Sequence, residues 1–558
     1  MDVWQLGNTS VRSALRLRDG LTALASSSLQ GNIRKKEGDE AFRRLLGERG
    51  VVSLGKDATN SVGRKWRSAM AKLGFLYPPV EKSWKFAQND LGPMDMITPA
   101  GRALIMSETV PAMHECFLRA LATPLSLSKN GQTFSPLRWT LAIIIELYHQ
   151  KEDASISFME MSCIVQATDP IVGLEQTVER IKLLRQQRAT EKRKKGFDKE
   201  YYSQVSLSNG YKPATLRDYA DMNIRYLKAT GMVQSKGKGI SLIPEKRSLA
   251  VELAQHLLSN QPLLELYRSL CLGAPLPTDE LPKAREILKD LLQKATTYGL
   301  SDDLDEKDWE TSQTINRARY RIEERINNKK EELYASQQER QWREIASYMN
   351  LIASNKRKYN KNSIPYGEAP AYLEWSIWRA FLAIDTLVNK PFKVRCFQVD
   401  QDFLPVGTAP GGGPDLIAEF SNCVLVIEVT LSESSRQEAM EGEPVRRHVA
   451  DLMQQYDKPV YGLFIANRID TNTAETFRKG VWYTQNDYRQ NLLITPLTLE
   501  QFSNFFQTIF ETGQARPETI IKLIEECQNA RCNLDSPSWK KEIENIVSRR
   551  IAFYKRAK

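Results

Sequence analysis

The sequence predicts a multidomain α+β chain, and three observations carry that prediction. Its 558 residues exceed what one ordinary hydrophobic core organises, so several domains are expected. The first half twice shows a helix followed by a hairpin, the design of a winged helix. The last third alternates short apolar runs with amphipathic helices, as in an α/β domain with a mixed sheet. Composition and spacing place two helical, winged-helix-like subdomains at 1–130 and 131–300, a charged helical linker at 301–360 and the α/β domain at 361–558.

The first unit is read from "SVGRKWRSAMAKLGFLYPP" and the later "DMITPAGRALI". Trp66, Met70 and Leu73 recur at helical spacing, and Gly74 suits the left-handed position that ends a helix. Arg64, Lys65, Arg67 and Lys72 are then a basic face, either solvated or turned to a polyanion. The second unit, "LRDYADMNIRYLKATGMVQSKGKGISLIP", has a helix closed by Gly231 and carrying Arg225. In its hairpin Gly237 and Gly239 can take positive φ, and Lys236 and Lys238 stand at the tip. The two segments share a design without the sequence similarity of a duplication. Between them, Arg180, Lys182, Arg185, Arg188, Lys192, Arg193, Lys194, Lys195 and Lys199 form a basic run suited to solvent or phosphate. From Leu304 to about Lys358, long charged runs without Gly or Pro in their helical stretch predict one or two surface helices. "YNKNSIPYGEAP" then reads as a loop that puts the last boundary near 360.

Charge and cysteine usage narrow the partners. A formal charge of +10 favours polyanions through counterion release, with nucleic acid foremost. No apolar stretch approaches the roughly 18 residues that cross a bilayer, and the start lacks the apolar core of a secretory signal. A cytoplasmic protein without membrane contact is expected. Seven cysteines without a C-x-x-C pair fit a reducing compartment, and four histidines, of which His114 alone neighbours a cysteine, argue against structural zinc.

The chemistry concentrates in the C-terminal domain. "AYLEWSIWRAFLAID" is predicted as a helix with Leu373, Ile377, Ala380 and Phe381 on one face and Glu374 outside it. The strands that follow are "FKVRCFQVD", the pair within "GGGPDLIAEFSNCVLVIEVT", "KPVYGLFIA" and "NLLITPLTL". If Ser421 and Asn422 form a two-residue turn, Phe420 pairs with Cys423, and equal steps outward bring Asp415 opposite Glu428. Their Cβ atoms would lie roughly 5 Å apart, and like charges so placed destabilise a sheet unless a cation sits between them. Mg²⁺ is suited to that place, being hard and able to activate water. Beyond Glu428, Pro444 fits the start of a helix whose buried face is Val445, Val449, Leu452, Met453 and Tyr456. Glu441 and Glu443 precede that helix. Arg446 and Arg447 in its first turn oppose the helix dipole, which suggests phosphate binding, and His448 is a candidate base or a structural residue.

"GPDLIAEF…VLVIEVT", "MEGEPVRRH", "YGLFIA" and "ITPLTLEQF" resemble the AlwI family of type IIS restriction endonucleases, which includes nicking enzymes. The two helix–hairpin segments fall where that family has recognition subdomains. The resemblance implies a FokI-like layout. Winged-helix subdomains bind a short asymmetric sequence in double-stranded DNA, and a restriction-endonuclease-like PD-(D/E)XK domain cuts some base pairs away with Mg²⁺. It implies Asp415 and Glu428 as metal ligands, with Glu441 and Glu374 completing the acidic set. Where many such nucleases have lysine this chain has Thr430, so Arg446, Arg447 or His448 must take that role. DNA contacts fall to Arg64, Lys65, Arg67, Lys72, Arg225, Lys236 and Lys238. One chain has one site, so cutting both strands requires a second chain, a transient homodimer or a small catalytic subunit. A cognate DNA methyltransferase is the implied partner system. The competing readings are a DNA-binding regulator with a retired nuclease-like domain, and a nuclease for branched or damaged DNA.

Overall fold

The computed structural model describes residues 3–9, 11, 13–52, 61–301, 303–354, 364, 368–384, 386–410, 412–432 and 437–556. The chain divides into two compact units, Met1–Ile326 and Asn327–Lys558. Most of the loop expected around residue 360 lies outside the described residues. Among the described residues no helix is long and apolar enough to cross a membrane.

In the first unit, α1 (Leu17–Ala25), α2 (Lys35–Glu48) and α3 (Ser61–Lys72) pack together, with Trp66, Ala69 and Met70 of α3 buried. Gly74, at φ +71°, ends the segment as its position requires. The hairpin expected next is reduced to one isolated bridge, Leu76↔Ile97, before α4 (Pro99–Met106). Pro78 and Pro79 have no N–H to extend a ladder there.

The second pattern is fuller. It runs α5 (Pro136–His149), β1 (Ser155–Ile156), α6 (Phe158–Cys163), α7 (Leu174–Thr190), α8 (Lys194–Asn209), α9 (Pro213–Ala229), β2 (Val233–Lys236) and β3 (Gly239–Leu242). The strands form an antiparallel sheet in the order β1-β3-β2, with Lys236 paired to Gly239. Gly237 takes φ +59° in the turn, but Gly239 does not. Gly239 is needed for space instead, because a Cβ there would lie 2.1 Å from the Ile156 carbonyl oxygen. The basic run of α7 and α8 is partly paired internally. Arg185 donates to Glu160 at 2.8 Å and Arg188 to Asp198 at 2.7 Å, while Lys192, Arg193, Lys194 and Lys195 are exposed.

The helices of the charged stretch from 301 are not surface helices alone. Ile315, Ala318 and Ile322 of α11 (Ser312–Ala335) pack on Ala284, Leu288 and Leu291 of α10 (Leu281–Thr297). Further on, α12 (Trp342–Ala353) buries Ile345, Met349 and Ile352 in the core of the second unit. Its charges misled because several are buried as ion pairs: Arg319 bonds Glu115 and, at 3.3 Å, Glu323.

The second unit is built on the sheet order β9-β6-β5-β4, from β4 (Leu416–Glu419), β5 (Val424–Thr430), β6 (Val460–Ala466) and β9 (Ile494–Thr498). A small separate hairpin, β7 (Val481–Tyr483) and β8 (Arg489–Asn491), precedes β9. β4 and β5 are antiparallel, β5 and β6 parallel, β6 and β9 parallel, so the sheet is mixed. The unbroken apolar runs of β5 and β6 suit central strands buried on both faces, and Pro496 is tolerated because β9 lies at an edge. α13 (Ala369–Ala383) is buried all round, Glu374 included, rather than amphipathic as expected. "FKVRCFQVD" is no strand: Pro391–Val394 is a helical turn, followed by isolated bridges Arg395↔Leu416 and Val399↔Pro405.

α14 (Glu443–Met453) follows β5, but it does not start at Pro444. A π-helical turn, Glu438–Gly442, runs directly into it, and Gly442 itself is helical. Arg446 and Arg447 therefore stand well inside a continuous helix, and the conflict with its dipole lapses. α15 (Thr471–Lys479), α16 (Leu499–Glu511), α17 (Pro517–Ala530) and α18 (Ser536–Arg556) complete the unit.

Candidate active site

The turn at Ser421 and Asn422 sets the site. Phe420 N–H donates to the Cys423 carbonyl at 2.9 Å, and pairs run from Glu419↔Val424 to Leu416↔Ile427. The next step outward is Asp415 and Glu428. Asp415 Oδ2 accepts from Val429 N–H at 2.8 Å, which locks its carboxyl against β5 beside Glu428. Glu428 is 7% exposed. Its Oε1 lies 2.5 Å from Nδ1 of His448, a buried residue of α14. Glu441, on the π-helical turn, is hydrogen-bonded by the Thr430 side chain. The position where the usual lysine is missing thus holds an acid rather than a cation. π-helical turns often occur at functional sites.

The electrostatics are those of acids crowded together out of water. Burial raises the Asp415 carboxyl far above the usual carboxylate range, and Glu428 and Glu441 raise it further. Burial and then Glu441 push Glu428 up to about 8. Burial also raises Glu441. His448 moves the other way, since burial and then Arg447 disfavour its imidazolium. Both shifts favour one shared proton in the contact between Glu428 Oε1 and His448 Nδ1. The imidazole's Nε2 is left buried without a hydrogen-bond partner.

Glu374 shares with Asp415 and Glu428 a neighbour the sequence did not single out. Cys396 is pushed up to about 12 by burial and then by Asp415, Glu428 and Glu374, so its thiol lies among the acids. Glu374 Oε2 accepts from Ala409 N–H at 2.7 Å. Cys396 is fixed here by its N–H bond to the Asp415 carbonyl at 3.0 Å and by the adjacent bridge Arg395↔Leu416. No motif spacing announces that contact.

The three candidates for the lysine's role separate. His448 touches Glu428. Arg447, bonded to Glu443 at 3.3 Å, contributes charge that favours ionised Glu428. Arg446 is turned away, donating to the Gly442 and Val481 carbonyls at 3.0 and 3.3 Å and lying over Trp482. The basic residues of the first unit also divide. Arg64 and Lys238 are exposed and Lys65 is half-buried. Lys236 is exposed and pairs with Asp153 at 2.5 Å. Lys72 lies in a pocket wall. Arg67 and Arg225 do not belong to a free basic face. Arg67 is buried and bonds Asp39 at 3.0 Å, and Arg225 holds Asp221 at 3.0 Å and the Val11 carbonyl at 2.7 Å. Each side chain spans from its helix to a neighbouring acid or carbonyl, a demand that helical spacing alone does not reveal.

Among the described residues, no three His, Cys, Asp or Glu side chains form a finished metal-ligand set. The chemistry of Asp415, Glu428 and Glu441 nevertheless fits a hard divalent cation. They supply carboxylate oxygens whose ionisation burial and mutual repulsion oppose, and a cation would relieve both.

A family model described as AlwI restriction endonuclease matches residues 71–505. That match gives the class of the protein, a restriction endonuclease and hence a nuclease acting on DNA. The chain belongs to the AlwI restriction endonuclease family. Two solved structures are similar at a low level. The small subunit (R.BspD6I2) of the heterodimeric restriction endonuclease R.BspD6I is 22% identical. It covers 36% of this chain and 98% of its own, with a TM-score of 0.30. The BpuJ1 endonuclease binding domain, solved with pyrene- and phenanthrene-modified DNA, is 11% identical, covering 42% and 85%, with a TM-score of 0.29. No curated protein matches.

Proposed function

We propose that this chain is a type IIS endonuclease. It binds a short asymmetric sequence in duplex DNA through its first unit and hydrolyses phosphodiesters some base pairs away with Asp415, Glu428 and Glu441. The observation that carries the catalytic reading is the hairpin register, which sets Asp415 beside Glu428 with both carboxyls raised by burial and repulsion. Such perturbed groups collect at functional sites. Bound between them, Mg²⁺ would neutralise the acids, activate water and stabilise the charge that develops on phosphate. Val429 N–H orients Asp415, Thr430 orients Glu441, and His448 holds the Glu428 carboxyl through Nδ1. With Glu428 ionised on the cation, Nδ1–H of neutral His448 would donate to it, and the buried, unpartnered Nε2 would be left as an acceptor for a water proton.

The order α5, β1, α6, α9, β2, β3 supports a winged helix with α7 and α8 inserted, and the Lys238 tip supports contact with a phosphate backbone. The PD-(D/E)XK reading of the second unit has the same kind of support, a mixed sheet with acids on an antiparallel pair. The recognition subdomains at 1–130 and 131–300 belong to this reading, as do a cytoplasmic location and a cognate methyltransferase that masks host sites. One site per chain cuts one strand per event, so a double-strand break needs a second chain, either a homodimer partner or a small catalytic subunit.

Incubating purified protein with supercoiled plasmid and Mg²⁺ tests the proposal. Ends at one fixed distance from a recurring asymmetric sequence are expected. Ends scattered over the plasmid, or concentrated at branched DNA, would point to a structure-specific nuclease. Binding without cutting under any divalent ion would point to a regulator.

A further inference from the structure

The first unit contains a cavity of about 820 Å³, within the range of about 300–1,000 Å³ typical of small-ligand pockets. We propose that this pocket holds one nucleotide of the DNA, turned out of the duplex, with its base on the Trp84–Tyr267 wall and its phosphate at Lys72 and Arg64. The inference rests on the DNA-recognition reading above and gives it a specific device.

The walls carry both halves of nucleotide chemistry. The Trp84 and Tyr267 rings lie 4.5 Å apart with their planes tilted by 31°, and Pro78 and Pro79 line the same cavity. Every base has a π face, so such a wall accepts bases by stacking. Among the lining residues Arg34, Arg64, Arg67 and Lys72 are cations and Glu81 is the single acid. Arg34 and Arg67 are already matched to Asp95 and Asp39. Among the described residues Arg64 and Lys72 have no carboxylate partner, and both project from α3. Lys72 is exposed at the concave wall, where the protein atoms crowding its ammonium pull it down to about 8. An anion there would restore what burial removes. A phosphate alone leaves most of the cavity and its aromatic wall unused, whereas a base with its phosphate uses both. DNA-acting proteins take single nucleotides into pockets by extruding them from the stack.

The test measures binding of each deoxynucleoside 5′-monophosphate to the full chain, beside inorganic phosphate and the unphosphorylated nucleosides. At least one monophosphate should bind saturably, about tenfold or more tighter than either half alone. Lys72→Gln and Trp84→Ala should each weaken it by about tenfold, and Trp84→Phe should restore it, with thermal melting unchanged. Failure of every monophosphate to bind, or indifference to these substitutions, overturns the proposal. Phosphate binding as tightly as the nucleotides overturns the role of the aromatic wall. The source is read on a duplex that carries the recognition sequence mapped from the cleavage ends, with 2-aminopurine at successive positions. A fluorescence rise at one position that Trp84→Ala abolishes is expected. Mononucleotide binding without any such rise overturns extrusion and makes free nucleotide the ligand. Cleavage is followed on the same preparation, so a protein that binds mononucleotides but cuts no DNA counts against the nuclease reading and not against the pocket.

Discussion

Glu428 keeps its proton up to about pH 8, whereas an unfolded glutamate loses it near 4.5. Between those values the native state binds more protons than the unfolded one, so stability falls as pH rises through that window. Calorimetry of chelated protein should show melting drop across it. Glu428→Gln should flatten that slope and raise melting at the alkaline end, by about 2–4 °C for each kcal/mol recovered. An unaltered slope would contradict the burial and repulsion assigned to this carboxyl. A divalent ion should raise melting at the alkaline end in the unsubstituted protein and do so much less in Glu428→Gln. His448→Ala should cut more slowly by about 100-fold with DNA binding retained, as checked by single-turnover cleavage beside a binding titration. Single residues were only partly legible in the sequence. Asp415 and Glu428 stood out because like charges at paired positions need a reason, and Thr430 because a lysine was missing. Cys396 did not, since a bridge at Arg395 brings it to the acids from outside any strand. The ion pairs of Arg67 with Asp39 and of Arg225 with Asp221 were not legible, because a cation that holds a neighbouring acid has the same helical spacing as one that faces solvent alone.

The β4–β5 hairpin was the most legible element. Strand side chains alternate with a period of two, and a two-residue turn leaves one register that buries Leu416 and Ala418 with Ile427 and Leu425. α14 was legible in its buried face but not in its start, because a π-helical turn leaves no clear mark in hydrophobic spacing. Its seat on the sheet depends on Gly462 of β6, where a Cβ would approach Ile494 at 2.8 Å and Val449 of α14 at 3.0 Å. Gly462→Ala should push α14, and with it His448, from the sheet. We expect a loss of about 1–3 kcal/mol in denaturant unfolding and a larger proportional loss of cleavage than of DNA binding. Equal losses of both would mean that α14 does not position the site. The charged stretch from Leu304 shows the converse difficulty: its polar composition suggested surface helices, but its apolar positions are enough to seat two helices in two cores.

At the scale of the whole molecule, the proposal of one site per chain sets the expected course of the reaction. Nicked circles should form from supercoiled plasmid before any linear product, and linear product should depend more steeply on protein concentration if the second strand requires another copy. Linear DNA appearing at once, in proportion to protein, would mean two cuts per chain and contradict a single site. The claim on which the rest depends is that the facing carboxyls of the hairpin do the chemistry. It is tested most directly by mapping plasmid ends from the protein and from Asp415→Asn side by side in Mg²⁺, with DNA binding measured on both. Ends at one fixed offset are expected for the unsubstituted chain, and bound but uncut DNA for Asp415→Asn. Unchanged ends from Asp415→Asn would contradict that claim.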